Sequence, residues 1–470
     1  MTDIPSDESQ AAVSEADTPP KPTGAMRAMR GFTDGSVGRH LLRLGSYMAL
    51  GSVAMNASMF AEAIYLGVLG TQALAAMGVA FPVTITLFAF AGGIGTGASS
   101  VTARTMGAGD REGAARLITH SQILALAVGI VLGALGIWLA RDIVTLIGAT
   151  GDLRELTVDY LTVYLLGFPA FMLSIVGSTL LRATGNAKSP GIIMAAGSVL
   201  QILLGPPLIF GWFGIPALGI AGAAWAYVIS RTLGMGLYVV LLVRARMLRW
   251  TMEGAFDSWR RIMHVGGPAV ASGLVMPAGM LVITRMLIGH GEAVVAGYQV
   301  ASRVETLAHM ILWSASSSVE PFVGQNWGAK LYDRAKAALS MTHRFSIAWG
   351  VVTFIVMVSV GKTIVAMIDD NPIVVEVSVA FFYIIPLSIG FMGMTQVASS
   401  CFNALGKPTP SLVISILRAL VIGVPLAVLG NYWWGYVGIF IATAITNVVV
   451  GILAWRWNWS YVNRASAGGK

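Results

Sequence analysis

Charge is scarce in this chain. Only 11% of its 470 residues are Asp, Glu, Lys or Arg, against roughly one quarter in an ordinary soluble domain. With 56% hydrophobic residues and a mean hydropathy of +0.75, a water-soluble globule is excluded. Cysteine is nearly absent too: Cys401 stands alone within an apolar run, so neither a disulfide framework nor a thiolate metal cluster is available. There is no HExxH, no grouping of His and Asp ligands, and no Ser/His or Ser/Lys arrangement that stands out from composition. The chain therefore does not read as an enzyme, and it calls for no metal or cofactor. Residues 1–38 lack the apolar h-region of a signal peptide. They are polar and Pro/Ser/Ala-rich, with Asp3, Asp7, Glu8, Glu15 and Asp17 first and Lys21, Arg27 and Arg30 later, and they read as a disordered tail.

What the chain has in quantity is apolar runs. About 20 apolar residues span a bilayer core, and cutting at charged and Gly/Pro-rich punctuation gives twelve candidate helices. They fall near 41–69, 75–104, 117–140, 158–182, 190–211, 218–243, 264–289, 294–325, 335–360, 374–403, 410–430 and 436–457. Placing the N-terminus in the cytoplasm puts 23 of the 30 basic residues in cytoplasmic segments, leaving only Arg141, Arg154, Arg285 and Lys362 outside. Lys and Arg collect on the cytoplasmic side of membrane proteins, so the bias predicts both termini inside, an even helix count and a bacterial inner-membrane location. It also accounts for the net charge of +8 without a nucleic acid partner.

The sequence repeats itself. GTQALAAMGVA at 70–80 resembles GEAVVAGYQVA at 291–301; ARTMGAGDREGAARL at 103–117 resembles GQNWGAKLYDRAKAAL at 324–339; LLRATGNAK at 180–188 meets CFNALGKP at 401–408. One offset of 221 residues serves all three. The predicted organisation is a 1–38 tail, a 39–243 lobe of six helices, a 244–263 cytoplasmic linker, a 264–457 lobe of six helices and a 458–470 cytoplasmic tail. Six helices per half leave both halves facing the same way about an axis along the membrane normal. A cavity between such halves is the usual home of a transported substrate.

Several stretches together resemble the multidrug and toxic compound extrusion (MATE) family: YLGVLGTQALAAMGVAFP, GIGTGASSVTARTMGAGD, LRATGNAKSP, PPLIFG with LGIAGAAWAYVIS, and PFVGQNWGAK. The resemblance runs from about residue 40 to 457. It implies two six-helix lobes in a V and a cation-coupled antiporter that exports organic cations or amphipathic drugs. The family's first-helix acid is usually Asp; here Glu62 stands five residues before Gly67. The helix 5 Asn and Asp of many members fall on Gln201 and Gly205, a helix 6 Thr on Tyr227, and the helix 7 Glu and helix 10 Asp of some members on Met276 and Gly393. Both familiar sodium-site patterns are broken, which favours a proton gradient over sodium and assigns coupling to Glu62, Gln201 and Tyr227.

The intramembrane charges carry the mechanism. An ionised carboxylate in hydrocarbon costs about 3 kcal/mol on insertion scales, so it normally faces a polar cavity and marks a functional path. Glu62 has no charged neighbour closer in sequence than Arg43 or Arg104. Glu305 has His309 at i+4 and Arg303 two residues before it; with Arg231 and Arg418 these form a predicted substrate and charge network. The competing reading is a static network that locks helices together, and the sequence does not say which Arg faces which Glu. Pro268 and Pro277 are hinge candidates in helix 7, with static kinks as the alternative. Met55, Met59, Phe60, Tyr65 and Met276 are candidates for an adaptable pocket lining. AGGIGTG at 91–97 has Gly93 and Gly97 at GxxxG spacing and reads as close helix packing, not a nucleotide loop. The expectation is a monomeric, all-α, twelve-helix proton antiporter for a small organic cation or amphiphile, embedded in the lipid bilayer. The alternative is a flippase or exporter of a lipid-linked or other amphipathic metabolite.

Overall fold

The computed structural model describes residues 31–367 and 371–467, and among them every regular element is helical. The chain runs α1 (Val37–Leu69), α2 (Thr71–Gly107), α3 (Arg111–Ile147), α4 (Gly151–Leu166), α5 (Phe168–Ala183), α6 (Lys188–Phe210) and α7 (Gly219–Arg244). It continues as α8 (Ala255–Ile288), α9 (Glu292–Gly328), α10 (Tyr332–Ala366), α11 (Pro372–Ile384), α12 (Pro386–Ala404), α13 (Pro408–Ile416), a π-helical turn (Leu417–Ile422) and α14 (Gly423–Ala467).

Twelve crossings follow from these elements. The pairs α4/α5 and α11/α12 bend by 49° and 54° at their junctions, each just before or at a proline, Pro169 or Pro386, which cannot extend the hydrogen-bond ladder of the preceding helix. Each pair makes one broken span. The stretch Pro408–Ala467 is 60 residues long, about 90 Å at 1.5 Å per residue, too long for one crossing. It breaks at Trp434 and Gly435, giving two. Polar Glu305, His309 and Glu320 on α9 make that crossing less apolar than its neighbours, yet it lies among them as a full 37-residue helix.

The repeat is visible in the helix ends. α2 and α9 start and stop 221 residues apart, as do the start of α4 and α11 and the end of α5 and α12. Each lobe has its own apolar core: Leu66, Ala76, Ile94, Phe168 and Phe171 belong to the first, Leu287, Ala301, Phe382, Ile389 and Phe440 to the second. A third cluster, including Leu44, Val319, Phe322, Ala338 and Val397, bridges the lobes at the end where α1 begins and α9 finishes. Exposed aromatics Trp212, Phe213, Trp433 and Trp434 mark the opposite end at repeat-equivalent loops, where amphipathic rings sit at a membrane interface.

Gly93 and Gly97 do pack closely. A Cβ on Gly97 would lie 2.3 Å from the carbonyl oxygen of Ile262, and one on Gly93 would lie 2.4 Å from Val270, so α2 and α8 touch backbone to backbone. Three boundaries differ from expectation. The 244–263 linker is shorter, because α8 already begins at Ala255. The 458–470 tail is largely helix, since α14 continues to Ala467 with Asn458 and Val462 buried. Of the predicted 1–38 tail, residues 1–30 lie outside the described residues; Gly31–Ser36 packs against the second lobe, with Phe32 buried at 2% exposure between His40 and Phe322. The apolar Phe32 ring outweighs the polar composition around it: full burial of such a side chain contributes about 1.5–3 kcal/mol.

Candidate functional site

Glu62 points into the first lobe, not toward lipid. It sits on α1 and accepts hydrogen bonds from Tyr160 Oη of α4 to Oε1 at 2.9 Å and from Gln201 Nε2 of α6 to Oε2 at 3.1 Å. Both carboxylate oxygens are thus satisfied by neutral donors, which lowers the desolvation cost that an unpaired charge would carry. A narrow pocket of about 10 Å³, lined by Ser58, Glu62, Tyr65, Gln201, Gly205 and Ala226, gives room for about one water molecule beside it. Beyond Tyr160 a column of rings continues: Tyr160 stacks on Tyr164 at 6.3 Å, Tyr164 on Tyr227 at 4.7 Å, and Tyr164 Oη donates to Tyr227 Oη at 3.1 Å. Arg231 ends the column, its guanidinium 5.0 Å above the Tyr227 ring, a cation–π arrangement.

Gln201 therefore touches Glu62, whereas Tyr227 stands two rings away. Tyr160 and Tyr164 escaped the sequence reading because the aligned positions drew attention to helices 5 and 6. Their i, i+4 spacing on α4 was the available signal. Arg231 belongs with this first-lobe group and not with Glu305.

A second, larger cavity lies between the lobes, about 610 Å³, and shares no lining residue with the Glu62 pocket. Glu305 and His309 line it from α9, with Nε2 of His309 3.1 Å from Oε1 of Glu305, though the ring nitrogen is not aimed well enough to form a hydrogen bond. Arg418, on the π-turn, faces the same cavity within electrostatic range of Glu305. Arg303 does not join them: it is exposed on the other side of α9, because residues two apart on a helix point away from each other. Met55 and Met276 line the cavity as expected. Met59 and Phe60 instead face outward, and Tyr65 lines the Glu62 pocket while donating to the carbonyl of Ile202 at 3.3 Å. α8 runs unbroken through Pro268 and Pro277; the sharp bends fall at Gly167 and Ile385 instead.

One end of this cavity is closed. Arg104 Nη1 of α2 donates to the carbonyl of Ala404 at 2.7 Å, and Gln325 Nε2 of α9 donates to the carbonyl of Ala183 at 2.6 Å. Ser100 also donates to the carbonyl of Asn403. Gly107 and Gly328 allow the close approach: a Cβ on either would fall about 2 Å from the carbonyl of Gln325 or of Arg104. Glu320 sits on the cavity floor against Ser99, with Arg182 and Arg104 in electrostatic range.

Two pseudo-symmetric six-helix lobes, a cavity between them sealed at one end, and a part-buried carboxylate in one lobe make the architecture of a membrane carrier. The MatE family model matches residues 48–206 and 268–429, and the chain belongs to that family, whose members include multidrug efflux transporters. It is 30% identical over 434 residues to the FAD transporter of Shewanella oneidensis, covering 91% of this chain and 95% of that one. It is 27% identical to the multidrug resistance protein PmpM of Pseudomonas aeruginosa over 83% of each chain. Among solved structures, a point mutant of the Vibrio cholerae MATE transporter VcmN superposes with a TM-score of 0.87 at 24% identity, over 91% of this chain and 97% of that one. A Pyrococcus furiosus transporter of the MOP superfamily gives 0.86 at 24% identity, over 94% and 99%. These neighbours carry the same fold.

Proposed function

We propose that the chain is a monomeric export antiporter of the inner membrane that exchanges protons for an amphipathic organic compound, with Glu62 as the coupling group. The single observation that carries the reading is the setting of Glu62: a carboxylate at membrane depth whose partners, Tyr160 and Gln201, are neutral donors. With both termini in the cytoplasm, as the basic residues favour, the sealed end of the central cavity is cytoplasmic and the carrier faces outward.

Met48, Met55 and Glu62 lie at seven-residue intervals on α1, hence on one stripe of the helix, and the two methionines line the central cavity. An ionised Glu62 ties α1 to α4 and α6 through charge-assisted bonds, which are roughly twice as strong as neutral ones. Protonation from outside weakens both ties and frees α1 to shift, which alters the cavity wall at Met55 and releases substrate. The empty carrier then rocks inward, loses its proton to the cytoplasm and rebinds. Linkage requires proton and substrate to oppose each other's binding by the same factor. Sodium is disfavoured because the positions of the familiar sodium-site patterns fall on Gln201, Gly205, Met276 and Gly393, which leaves Glu62 as the one carboxylate among the described residues lining its pocket.

The test is a proteoliposome flux assay with separately imposed proton and sodium gradients. Ethidium and FAD serve as probes, and Glu62→Gln should abolish substrate-stimulated proton movement. Full coupling in that variant removes Glu62 from the mechanism. The likeness to an FAD transporter favours a second reading, export of an amphipathic endogenous metabolite through the same cavity; a chain that moves FAD and ignores ethidium would decide for it.

A further inference from the structure

We infer that the interlobe cavity carries an anion-binding subsite at Arg418, so that the transported compound is an aromatic amphiphile bearing a phosphate or comparable anionic group. This deepens the proposed export function by naming the chemistry of what the cavity holds.

Arg418 lies on the wall of the central cavity, within the π-helical turn Leu417–Ile422. Such turns are rare and concentrate at functional positions. The repeat-equivalent position in the first lobe is Gly197, inside regular α6, so both the charge and the widened turn are peculiar to the second lobe. Pro425 follows the turn by three residues and cannot donate to the carbonyl of Val421, which gives a local reason for the altered register.

The guanidinium makes no direct bond to the described residues of the protein, although Glu305 lies within electrostatic range. Among the described residues no carboxylate comes within 4 Å of it, and it makes no hydrogen bond. The facing acid, Glu305, lies 3.1 Å from His309 and does not come within 4 Å of Arg418. The other cavity guanidinium, Arg182, is by contrast occupied: it donates to Ser178 Oγ at 3.2 Å and lies 3.1 Å from the sulfur of Met48, with Glu320 nearby on the floor. A guanidinium inside a membrane protein normally pairs or marks a substrate path, and its planar fork matches phosphate and carboxylate oxygens bidentately. Ser415 and Ser411, one and two turns before Arg418, line the same cavity. Tyr298, Trp313 and Phe440 provide aromatic surface in the same cavity. Its volume of about 610 Å³ falls within the range of small-molecule sites.

The probe pair is riboflavin and FMN, which differ by one phosphate. Binding is measured by flavin fluorescence with the full chain in phosphatidylcholine nanodiscs and no gradient. FMN should bind at least tenfold tighter than riboflavin. Arg418→Gln should bring the two within twofold while leaving riboflavin unchanged, and Arg418→Lys should keep part of the preference. Millimolar inorganic phosphate should displace FMN and spare riboflavin, a result that needs no variant to fold. Equal affinities in the wild type, a preference that survives Arg418→Gln, or no FMN binding would each overturn the proposal. Loss of the FMN preference on adding phosphatidylglycerol would assign the subsite to a lipid headgroup and overturn it as a substrate site. Because binding is read without a gradient, failure here is distinct from failure of Glu62 coupling, which only the flux assay reports.

Discussion

Arg104 and Gln325 occupy equivalent positions in the two repeats, and each reaches across to the backbone carbonyl that ends the other lobe's broken helix, Ala404 and Ala183 respectively. The closed end of the cavity is thus a pair of crossed hydrogen bonds related by the internal two-fold. Gln325 also accepts from the backbone N–H of Phe32 at 2.7 Å through its Oε1, which ties the segment before α1 into the same closure.

Breaking one strand of this closure should shift the carrier toward the conformation open at that end. A hydrogen bond contributes about 1 kcal/mol net, so Arg104→Ala or Gln325→Ala should raise the minor population roughly fivefold. Cys401 is buried; in a Cys401→Ala background, a cysteine at Ser99 on the cavity wall should react several-fold faster with a thiol reagent applied from the closed side. Unchanged reactivity would mean that the crossed bonds do not hold the gate.

Backbone contact across the lobes sets a stricter limit. A side chain at Gly107 meets the Gln325 carbonyl head on, and overpacking of this kind costs about 1–3 kcal/mol. Gly107→Val should lower the apparent Tm by several degrees and increase reactivity at Ser99→Cys, whereas Gly236→Ala, which has open space, should leave both unaltered.

Tyr160→Phe removes one of the two donors to Glu62 and nothing else of size. The lost bond is one of the two ties between α1 and its neighbours through Glu62 and contributes about 1.5 kcal/mol. Substrate-stimulated proton movement in the flux assay should fall several-fold. Unchanged coupling contradicts the role given to this hydrogen bond.

Phe32→Ala should release the segment before α1. Truncating a buried Phe costs about 3–5 kcal/mol, enough to undock a short segment held by Gln325, Asn326 and Arg334. Limited proteolysis should then cut between residues 31 and 36 at least tenfold faster, with the helical core intact.

Much of the architecture could be read along the chain because a bilayer restricts the choices. Every backbone group at membrane depth must be satisfied within its own segment, so apolar length alone predicts helices, and the 221-residue offset predicts paired lobes. The site was legible in part. Glu62 declared itself by isolation among apolar neighbours, and Gln201 by alignment to the family pattern. Tyr160 and Tyr164 did not, since aromatic residues in a membrane helix look alike whether they face lipid, core or carboxylate. Arg303 beside Glu305 misled, because adjacency along the chain is not adjacency around a helix.

The sequence by itself determined that this protein is helical, membrane-spanning, duplicated, and furnished with a few costly charges, because solvation in hydrocarbon penalises each alternative in a way that composition records. Only the tertiary structure decided which charges meet. Arg231 went to the tyrosine column, Arg418 to the open cavity, and Glu62 into a pocket separate from that cavity, because helix rotation and lobe packing, which no linear pattern fixes, set the direction in which each side chain points.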